Sequence, residues 1–385
     1  MHWALQENVL TDHDIRLLVE FISTTKRFTQ FEKVNQFENN FSSWQECKHS
    51  VYVNSGSSAN FLLVNALKEL RKWNIGDEII VPAVTWPTTI TPIIQMGLKP
   101  VFVDINLNDL SFDYDKLSEN ITNKTRGIFV VHLLGFPANV DKIKEITKGK
   151  DIVLIEDCCE SQGAEIDGNK VGNLTTAGTF SFYWGHHMTT VEGGMICTND
   201  TDLYKLLLLK RSHGMARELP SNLHDNYKEQ YKDIDFNFLF LTDGFNFRNT
   251  ELHALIGIAQ LKKIDEYIKI RNRNYQQFVK LCVKYNDSMV IINGNGISSF
   301  TLPFIFKEGD KKLAFENMIQ KHGIESRPLI SGNLVRQPFL KKYYNKSQFK
   351  NSDFIHNNAF YIGNNQFVNE ERIDYLEKLM NKFFD

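Results

Sequence analysis

The sequence of 385 residues has few cysteines, and their arrangement argues against stabilisation by disulfides or by a structural zinc ion. The five cysteines are Cys47, Cys158, Cys159, Cys197 and Cys282. Their number is odd and no CxxC pair occurs, so neither a disulfide framework nor a structural zinc site is expected. The sequence therefore predicts reduced thiols and no metal centre.

Net charge and long apolar runs are also lacking. The formal net charge is −2, which favours neither a nucleic-acid partner nor an anionic membrane surface. The N-terminal MHWALQENVL has no basic stretch followed by an apolar one, and the LLLL run at 206–209 is far too short to span a bilayer. We expect a cytoplasmic protein without a signal peptide or membrane anchor.

What is present, from about residue 50 onwards, is an alternation of helical stretches with short apolar strands. After VYVN, the runs DEIIVPAVTW, KPVFVDI, TRGIFVVHLLG and DIVLIEDCCE each end at a polar or glycine turn. Runs that are apolar throughout and separated by helices are typical of a mostly parallel sheet covered on both faces. The predicted fold class is therefore α/β.

The pattern changes near residue 280. Residues 250–285 have helical periodicity that could form one long helix, followed by the strand SSFTLPFIF, the helix KKLAFENMIQKHG and the strand ESRPLI. We predict a large α/β domain with its N-terminal segment over residues 1–275, and a smaller α+β domain over residues 276–385.

Several residues at predicted strand ends could bind a ligand, because ligands of open α/β sheets bind beyond the carboxyl ends of the strands. The turn SGSSAN (55–60) could bind a phosphate or be a serine-capped turn. Trp86 could stack on a planar cofactor or cap the core. Asp157 could pair with a protonated pyridine nitrogen or cap a helix, and Glu160 could complete a capping box.

Together these pieces match a family pattern. The order and spacing of FTQFEKVNQFE, NSGSSAN, IIVPAVTW, LIEDCCES, GTFSFY, EGGMICTND, RSHG, GFNFR and GIESRP resemble the DegT/DnrJ/EryC1/StrS sugar aminotransferases. The resemblance covers nearly the whole chain. It implies the aspartate aminotransferase fold (fold type I) and pyridoxal 5'-phosphate or pyridoxamine 5'-phosphate as cofactor.

The loop SFYWGHHMTTVEGG (181–194) departs from most of that family, which has lysine at the position of His186. Histidine here resembles the lysine-less branch of 3-dehydratases that act on GDP-4-keto-6-deoxymannose. RSHGMARELP and SRPLISGN also resemble that branch. One position differs: the family usually has glycine where this chain has Phe31, in a segment implicated in binding the nucleotide sugar.

Carried over residue by residue, the resemblance implies His186 as the catalytic base and a homodimer with shared active sites. It implies cofactor contacts from Gly56, Ser57, Trp86, Asp157, Glu160, Ser181 and, across the dimer, Asn246. It implies substrate contacts from Phe28, Thr29, His213, Arg217, Arg248 and Arg327. His187 is expected to pack or to form a hydrogen bond.

Histidine in place of lysine changes the expected reaction. A lysine would hold the cofactor covalently and move protons, whereas imidazole can only move protons. With glutamate as amine donor, the expected outcome is loss of the 3-hydroxyl of a nucleotide-linked 4-keto-6-deoxy sugar as water. The product would be a 3,6-dideoxy-4-keto sugar for surface polysaccharide, with one glutamate consumed per turnover.

Three alternatives stay open at this point. An ordinary sugar 4-aminotransferase needs a lysine in the loop, and none lies between Lys170 and Lys205. An iron–sulfur dehydrase needs a closely spaced set of cysteines, whereas only Cys158 and Cys159 are adjacent. A non-catalytic protein could retain the sugar-nucleotide pocket. The nucleotide, and the choice between hexose and heptose, are left open by the sequence.

Overall fold

The computed structural model describes residues 1–384, which contain two principal sheets surrounded by helices. The strands are β1 (His49–Val53), β2 (Glu78–Pro82), β3 (Lys99–Val103), β4 (Thr125–Val131), β5 (Val153–Asp157), β6 (Glu165–Ile166), β7 (Asn169–Lys170), β8 (Ala177–Ser181), β9 (Gly194–Thr198), β10 (Met289–Val290), β11 (Thr301–Phe306), β12 (Ser326–Pro328) and β13 (Ala359–Gly363).

Thirteen α-helices accompany these strands in residues 1–384. They are α1 (Asp12–Thr24), α2 (Glu32–Gln45), α3 (Gly56–Leu70), α4 (Pro87–Gln95), α5 (Tyr114–Glu119), α6 (Val140–Thr147), α7 (Thr201–Arg211), α8 (His224–Gln230), α9 (Glu251–Leu261), α10 (Ile264–Val283), α11 (Gly309–Lys321), α12 (Lys350–Asn358) and α13 (Glu370–Phe384). Within the part of the chain that the structure describes, no helix is both long enough and apolar enough to cross a bilayer.

The larger sheet has seven strands in the order β1-β9-β8-β5-β4-β2-β3. All of its strands are parallel to one another except β9, which pairs antiparallel with β8 and β1. Helices α3, α4 and α7 share an apolar core with one face, and α5 and α6 with the other. The mostly parallel sheet predicted from the uniformly apolar runs is therefore confirmed.

The second sheet is antiparallel, in the order β10-β11-β13-β12, and packs with α10, α11 and α13. The N-terminal residues join it, because the buried Trp3 donates its indole hydrogen to the Gly363 carbonyl at 3.0 Å. The small α+β unit predicted after residue 280 is thus present as a second sheet, whose apolar core continues into large-domain residues such as Val131 and Leu133. The domain boundary at residue 275 lies inside α10 and stays a prediction.

The long helix over residues 250–285 is interrupted. Helix α9 ends at Leu261 and α10 begins at Ile264, with a tight turn in which the Lys263 amide donates to the Gln260 carbonyl at 2.9 Å. The Lys263 ammonium lies 2.9 Å from the buried carboxylate of Asp14 in α1. Apolar periodicity continues across the break, so the sequence pattern did not reveal it.

Candidate active site

A cavity of about 380 Å³ opens beyond the carboxyl ends of β2, β4 and β5. Six of the residues predicted from the sequence line it together: Ser57, Trp86, Asp157, Glu160, His186 and Arg327. The chain segments that follow parallel strands meet at one edge of the sheet, and this brings together residues up to 270 positions apart. The cavity is therefore the candidate active site.

The start of α3 forms one side of the cavity. Ser55 caps the helix by accepting a hydrogen bond from the Ser58 amide at 3.0 Å. The first amides of a helix have no intrahelical acceptor, so those of Gly56 and Ser57 are available to an anion. A Cβ at Gly56 would lie 2.6 Å from the Cβ of Ser181, so only glycine fits there. This packing places Ser181 beside the helix N-terminus.

Asp157 ends β5, and its carboxylate is held by donors from several elements. Its Oδ2 accepts hydrogen bonds from the Asn60 side chain at 2.9 Å and the Thr89 hydroxyl at 2.8 Å. Its Oδ1 accepts from the Cys159 amide at 3.1 Å. These contacts fix the orientation of a buried carboxylate at the cavity wall, where it can receive a hydrogen bond from a cationic ring nitrogen.

Trp86 follows β2 and immediately precedes α4, which begins at Pro87. Its side chain is 55% exposed although it lines the cavity. A tryptophan that served only to cap the core would be buried. The indole face is instead available to stack on a planar ligand.

His186 lies in the loop between β8 and β9. Its ring stacks on Phe300, with the ring centres 5.3 Å apart, and its Nδ1 has no hydrogen-bond partner within residues 1–384. Burial and the charge of Arg271 lower the pKa of His186 to about 4, although the Cys159 backbone acts in the opposite direction. The imidazole is therefore neutral near pH 7 and can accept a proton.

His187 has a different environment from its neighbour. It is fully buried, and its Nε2 lies 3.1 Å from the Ser298 carbonyl oxygen. It does not line the cavity. This agrees with the packing and hydrogen-bonding role expected for it.

Glu160 does not form the capping box that the sequence allowed, because no helix begins after Asp157. Its Oε2 instead accepts a hydrogen bond from the Leu134 amide at 3.0 Å. Burial raises the pKa of Glu160 to about 8, and the nearby Asp157 charge adds to the rise while the Leu134 amide opposes it. The Glu160 carboxyl is therefore protonated near pH 7, in contrast to an ordinary glutamate.

Eight predicted site residues are absent from the lining of the cavity in the single chain. Two of them, Gly56 and Ser181, lie against each other at the start of α3, and the other six lie elsewhere. Three form a cluster in which Arg248 lies 3.0 Å from the Asn246 side-chain oxygen and 3.5 Å from the His213 ring. Thr29 pairs with Thr250, next to the 41% exposed Phe28. The sixth residue, Arg217, donates to the Asn237 carbonyl. Their roles stay predictions that require a second copy of the chain.

Sequence reasoning missed several residues that the structure places at or beside the cavity. They come from distant segments and include Leu5, Gln6, Tyr183, Trp184, Phe300, Thr301 and Tyr361, with Arg271 directly behind the loop. The aromatic pair Tyr183–Trp184 adjoins the two histidines and could have been included for that reason. The N-terminal and C-terminal residues carry no local signal, because only the packing of remote segments brings them here.

Comparison with known proteins gives a consistent result. The model of the DegT/DnrJ/EryC1/StrS aminotransferase family matches residues 10–380. A GDP-4-keto-6-deoxy-D-mannose 3-dehydratase of Escherichia coli O55:H7 is 37% identical over 373 residues, which cover 94% of this chain and 95% of that protein.

Two solved structures of GDP-4-keto-6-deoxymannose-3-dehydratase each have a TM-score of 0.90 and 35% identity, and cover 98% of this chain and 100% of theirs. One is a histidine-to-asparagine variant with bound GDP-perosamine, and the other contains a trapped PLP-glutamate geminal diamine. Sequence, fold and cavity agree, and the chain belongs to the DegT/DnrJ/EryC1/StrS aminotransferase family.

Proposed function

We propose that this protein is a glutamate-dependent, pyridoxal phosphate-dependent 3-dehydratase of a nucleotide-linked 4-keto-6-deoxy sugar. The observation that carries the proposal is His186 in the cavity, where an aminotransferase of this family needs lysine. Among the described residues that line the cavity, none is lysine. The named relatives, which are dehydratases of GDP-4-keto-6-deoxymannose, support the same reaction and GDP as the nucleotide.

The residues present fit the cofactor. The start of α3 offers free amides and Ser57 for the phosphate, with Ser181 in contact with Gly56. Asp157 presents a carboxylate of fixed orientation for the ring nitrogen, and the exposed indole of Trp86 suits the ring face. The fit rests on Gly56, where a side chain would clash with Ser181. The phosphate would therefore meet the backbone amide at this position and no side chain.

The chain's own groups divide the chemistry between them. When bound, pyridoxal phosphate supplies an electron sink. Asp157 would accept a hydrogen bond from the protonated ring nitrogen, and Trp86 would stack on the face of the ring. His186, neutral near pH 7, takes the proton whose removal lets the 3-hydroxyl leave as water. Because the amine would leave the sugar as ammonia, glutamate would have to supply it again in each turnover.

A homodimer completes the proposed site. Asn246 of the second copy would reach the cofactor phosphate, while Phe28, Thr29, His213, Arg217 and Arg248 would contact the nucleotide sugar together with Arg327 of the first copy. The proposal is supported by the cluster of Arg248, Asn246 and His213, which offers cationic and amide donors but does not line this chain's own cavity. The product would serve O-antigen or capsule biosynthesis in the cytoplasm.

The direct test incubates the purified protein with pyridoxal phosphate, glutamate and a panel of GDP-, CDP- and dTDP-linked 4-keto-6-deoxy sugars. Mass spectrometry should show that one of them loses a single oxygen atom, with one 2-oxoglutarate and one ammonia formed per sugar, because elimination of the 3-hydroxyl is coupled to the oxidation of glutamate. His186→Asn should lower this rate by about 100- to 10,000-fold, the usual range for a positioned general base. The matched variant His187→Asn should retain most of it.

Other outcomes contradict the proposal. A sugar that gains an amino group would identify an aminotransferase. No change in any sugar, together with tight nucleotide-sugar binding, would identify a binding protein. Equal rates for wild type and His186→Asn would remove His186 from its role as base.

A further inference from the structure

Arg271 on α10 is a buried cation without an anionic partner. Its side chain is fully buried, and it forms no ion pair with a carboxylate anywhere in residues 1–384. Burial lowers the pKa of its guanidinium to about 9, so the group is still charged near pH 7. A buried charge without a counter-ion is costly, so its contacts must compensate that cost.

Those contacts are backbone carbonyls of three separate segments. Nη1 donates to the Phe300 carbonyl at 3.0 Å and to the Asn364 carbonyl, and Nη2 donates to the His186 carbonyl at 3.3 Å. Phe300 immediately precedes β11, Asn364 follows β13, and His186 lies in the loop between β8 and β9. One guanidinium thus ties the His186 loop to the second sheet.

The Arg271 guanidinium also holds the backbone of Phe300, whose ring stacks against His186. The His186 imidazole stacks on Phe300 at 5.3 Å, at an angle of 21° between the ring planes. Arg271 therefore holds both the main chain of His186 and the main chain of its stacking partner. Displacement of either carbonyl would move the imidazole relative to the cavity.

We propose that Arg271 is a positioning residue for His186, which fixes the imidazole in the cavity by holding the carbonyls of His186 and Phe300 in one planar fork. This rests on the proposed function only in giving His186 the role of base. The charge of Arg271 acts in the same sense, since after burial it is the next cause that lowers the pKa of His186.

Other ionisable groups near His186 belong to the loop itself or to the cavity wall. They are His132, Asp157, Cys159, Glu160, Tyr183, His187, Glu192, Arg327 and Tyr361. None of them contacts the His186 carbonyl, which receives a side-chain hydrogen bond from Arg271. The positioning role is therefore specific to the guanidinium.

Substitution of Arg271 by lysine or by methionine separates its two contributions, which are its hydrogen bonds to the carbonyls and its positive charge. Lysine retains the charge but has no rigid fork, so it cannot hold three carbonyls at once. Methionine removes both the charge and the donors. The comparison distinguishes geometric positioning from the electrostatic effect on His186.

Asn274 supplies a matched control. It lies one turn further along α10, is buried, and donates to the Asn364 side-chain oxygen and the Asn365 carbonyl, both at 3.2 Å. It therefore attaches α10 to the same segment after β13 that Arg271 contacts, but its side chain donates no hydrogen bond to His186 or Phe300. Asn274→Ala therefore measures the effect of weakening the attachment between α10 and the segment after β13, without loss of the hydrogen bond to His186.

The experiment follows the His186 imidazole signal by NMR through a pH titration of the protein, once with and once without pyridoxal phosphate. The signal is assigned by its loss in His186→Asn. Arg271→Lys should shift and broaden the His186 signal and lower kcat by about 100-fold, the effect of a displacement of about 1 Å, while KM changes little. Arg271→Met should in addition raise the His186 titration midpoint. Asn274→Ala should do neither.

The outcomes decide the proposal. A wild-type His186 signal and wild-type kcat in Arg271→Lys would overturn it, as would an effect of Asn274→Ala as large as that of Arg271→Lys. If Arg271→Met does not fold, the lysine variant alone decides. The NMR signal does not depend on the reaction catalysed, so absence of dehydratase activity would contradict the proposed function and leave this test intact.

Discussion

Replacing Glu160 by glutamine should stabilise the cofactor-free protein, and more so as the pH rises. The Glu160 carboxyl lines the cavity and accepts one hydrogen bond, from the Leu134 amide at 3.0 Å. Burial, with the charge of Asp157, raises its pKa from 4.5 to about 8. Glutamine is nearly isosteric, keeps an acceptor for the Leu134 amide and cannot ionise.

The sign and size follow from proton linkage. Between pH 4.5 and about 8 the folded protein retains the Glu160 proton, whereas the unfolded chain has released it. The unfolding free energy therefore falls as pH rises through this window and is level above it. At 1.36 kcal/mol for each tenfold change in proton affinity, the cost is on the order of 3 kcal/mol at pH 7 and 5 kcal/mol above pH 8. Below pH 4.5 the two proteins should be equally stable.

Two measurements test this. The difference between acid–base titration curves of folded wild type and Glu160→Gln should show one proton released with a midpoint near pH 8. Urea unfolding at pH 5 and pH 8 should show a gain for the variant that grows with pH. Glu192→Gln is the control, because Glu192 also lines the cavity but is exposed to solvent. Partial burial raises its pKa in the same direction but less than that of Glu160, so its gain should be smaller. A difference titration centred near 4.5 would refute the reasoning.

Two further substitutions test the cavity. Asp157→Asn should slow both the glutamate and the sugar half-reactions by roughly 100-fold or more, because loss of a charged hydrogen bond costs about 3 kcal/mol. Stopped-flow absorbance measures both half-reactions, and wild-type rates with bound cofactor would contradict the role assigned to Asp157. His186→Lys should link pyridoxal phosphate covalently and lower the rate of dehydration. Intact-mass analysis after borohydride reduction detects the covalent link, and a variant that carries no label would show that position 186 does not reach the cofactor aldehyde.

Much of the large sheet was predictable because its strands are uniformly apolar and end abruptly. β2 reads EIIVP with every residue buried, and Thr85 and Trp86 follow after two further buried apolar residues. The rule that ligands bind beyond strand ends then singled out Trp86 and Asp157, and both line the cavity. Those predictions needed only local sequence and one geometric property of parallel sheets.

Other parts could not be read from local sequence. In the sequence, Arg271 resembles any basic residue of an amphipathic helix. Only the folded structure shows that it is buried and donates hydrogen bonds to three carbonyls from remote segments. At the break between α9 and α10, Lys263 pairs with Asp14, about 250 positions away, while the apolar spacing of the sequence continues unchanged. Leu5 and Phe300 reach the cavity by packing of the N-terminal segment and the second sheet, which no motif encodes.

The surroundings of residue 186 explain how one cavity could suit either histidine or lysine. Burial disfavours charge of either sign, so it lowers the pKa of His186 and raises that of Glu160. The nearby Arg271 charge adds to the first effect. A lysine at the same position would meet the same burial and the same cation, and both would favour its neutral, nucleophilic amine. The burial and the charge around residue 186 therefore suit a neutral histidine base and a neutral lysine amine alike.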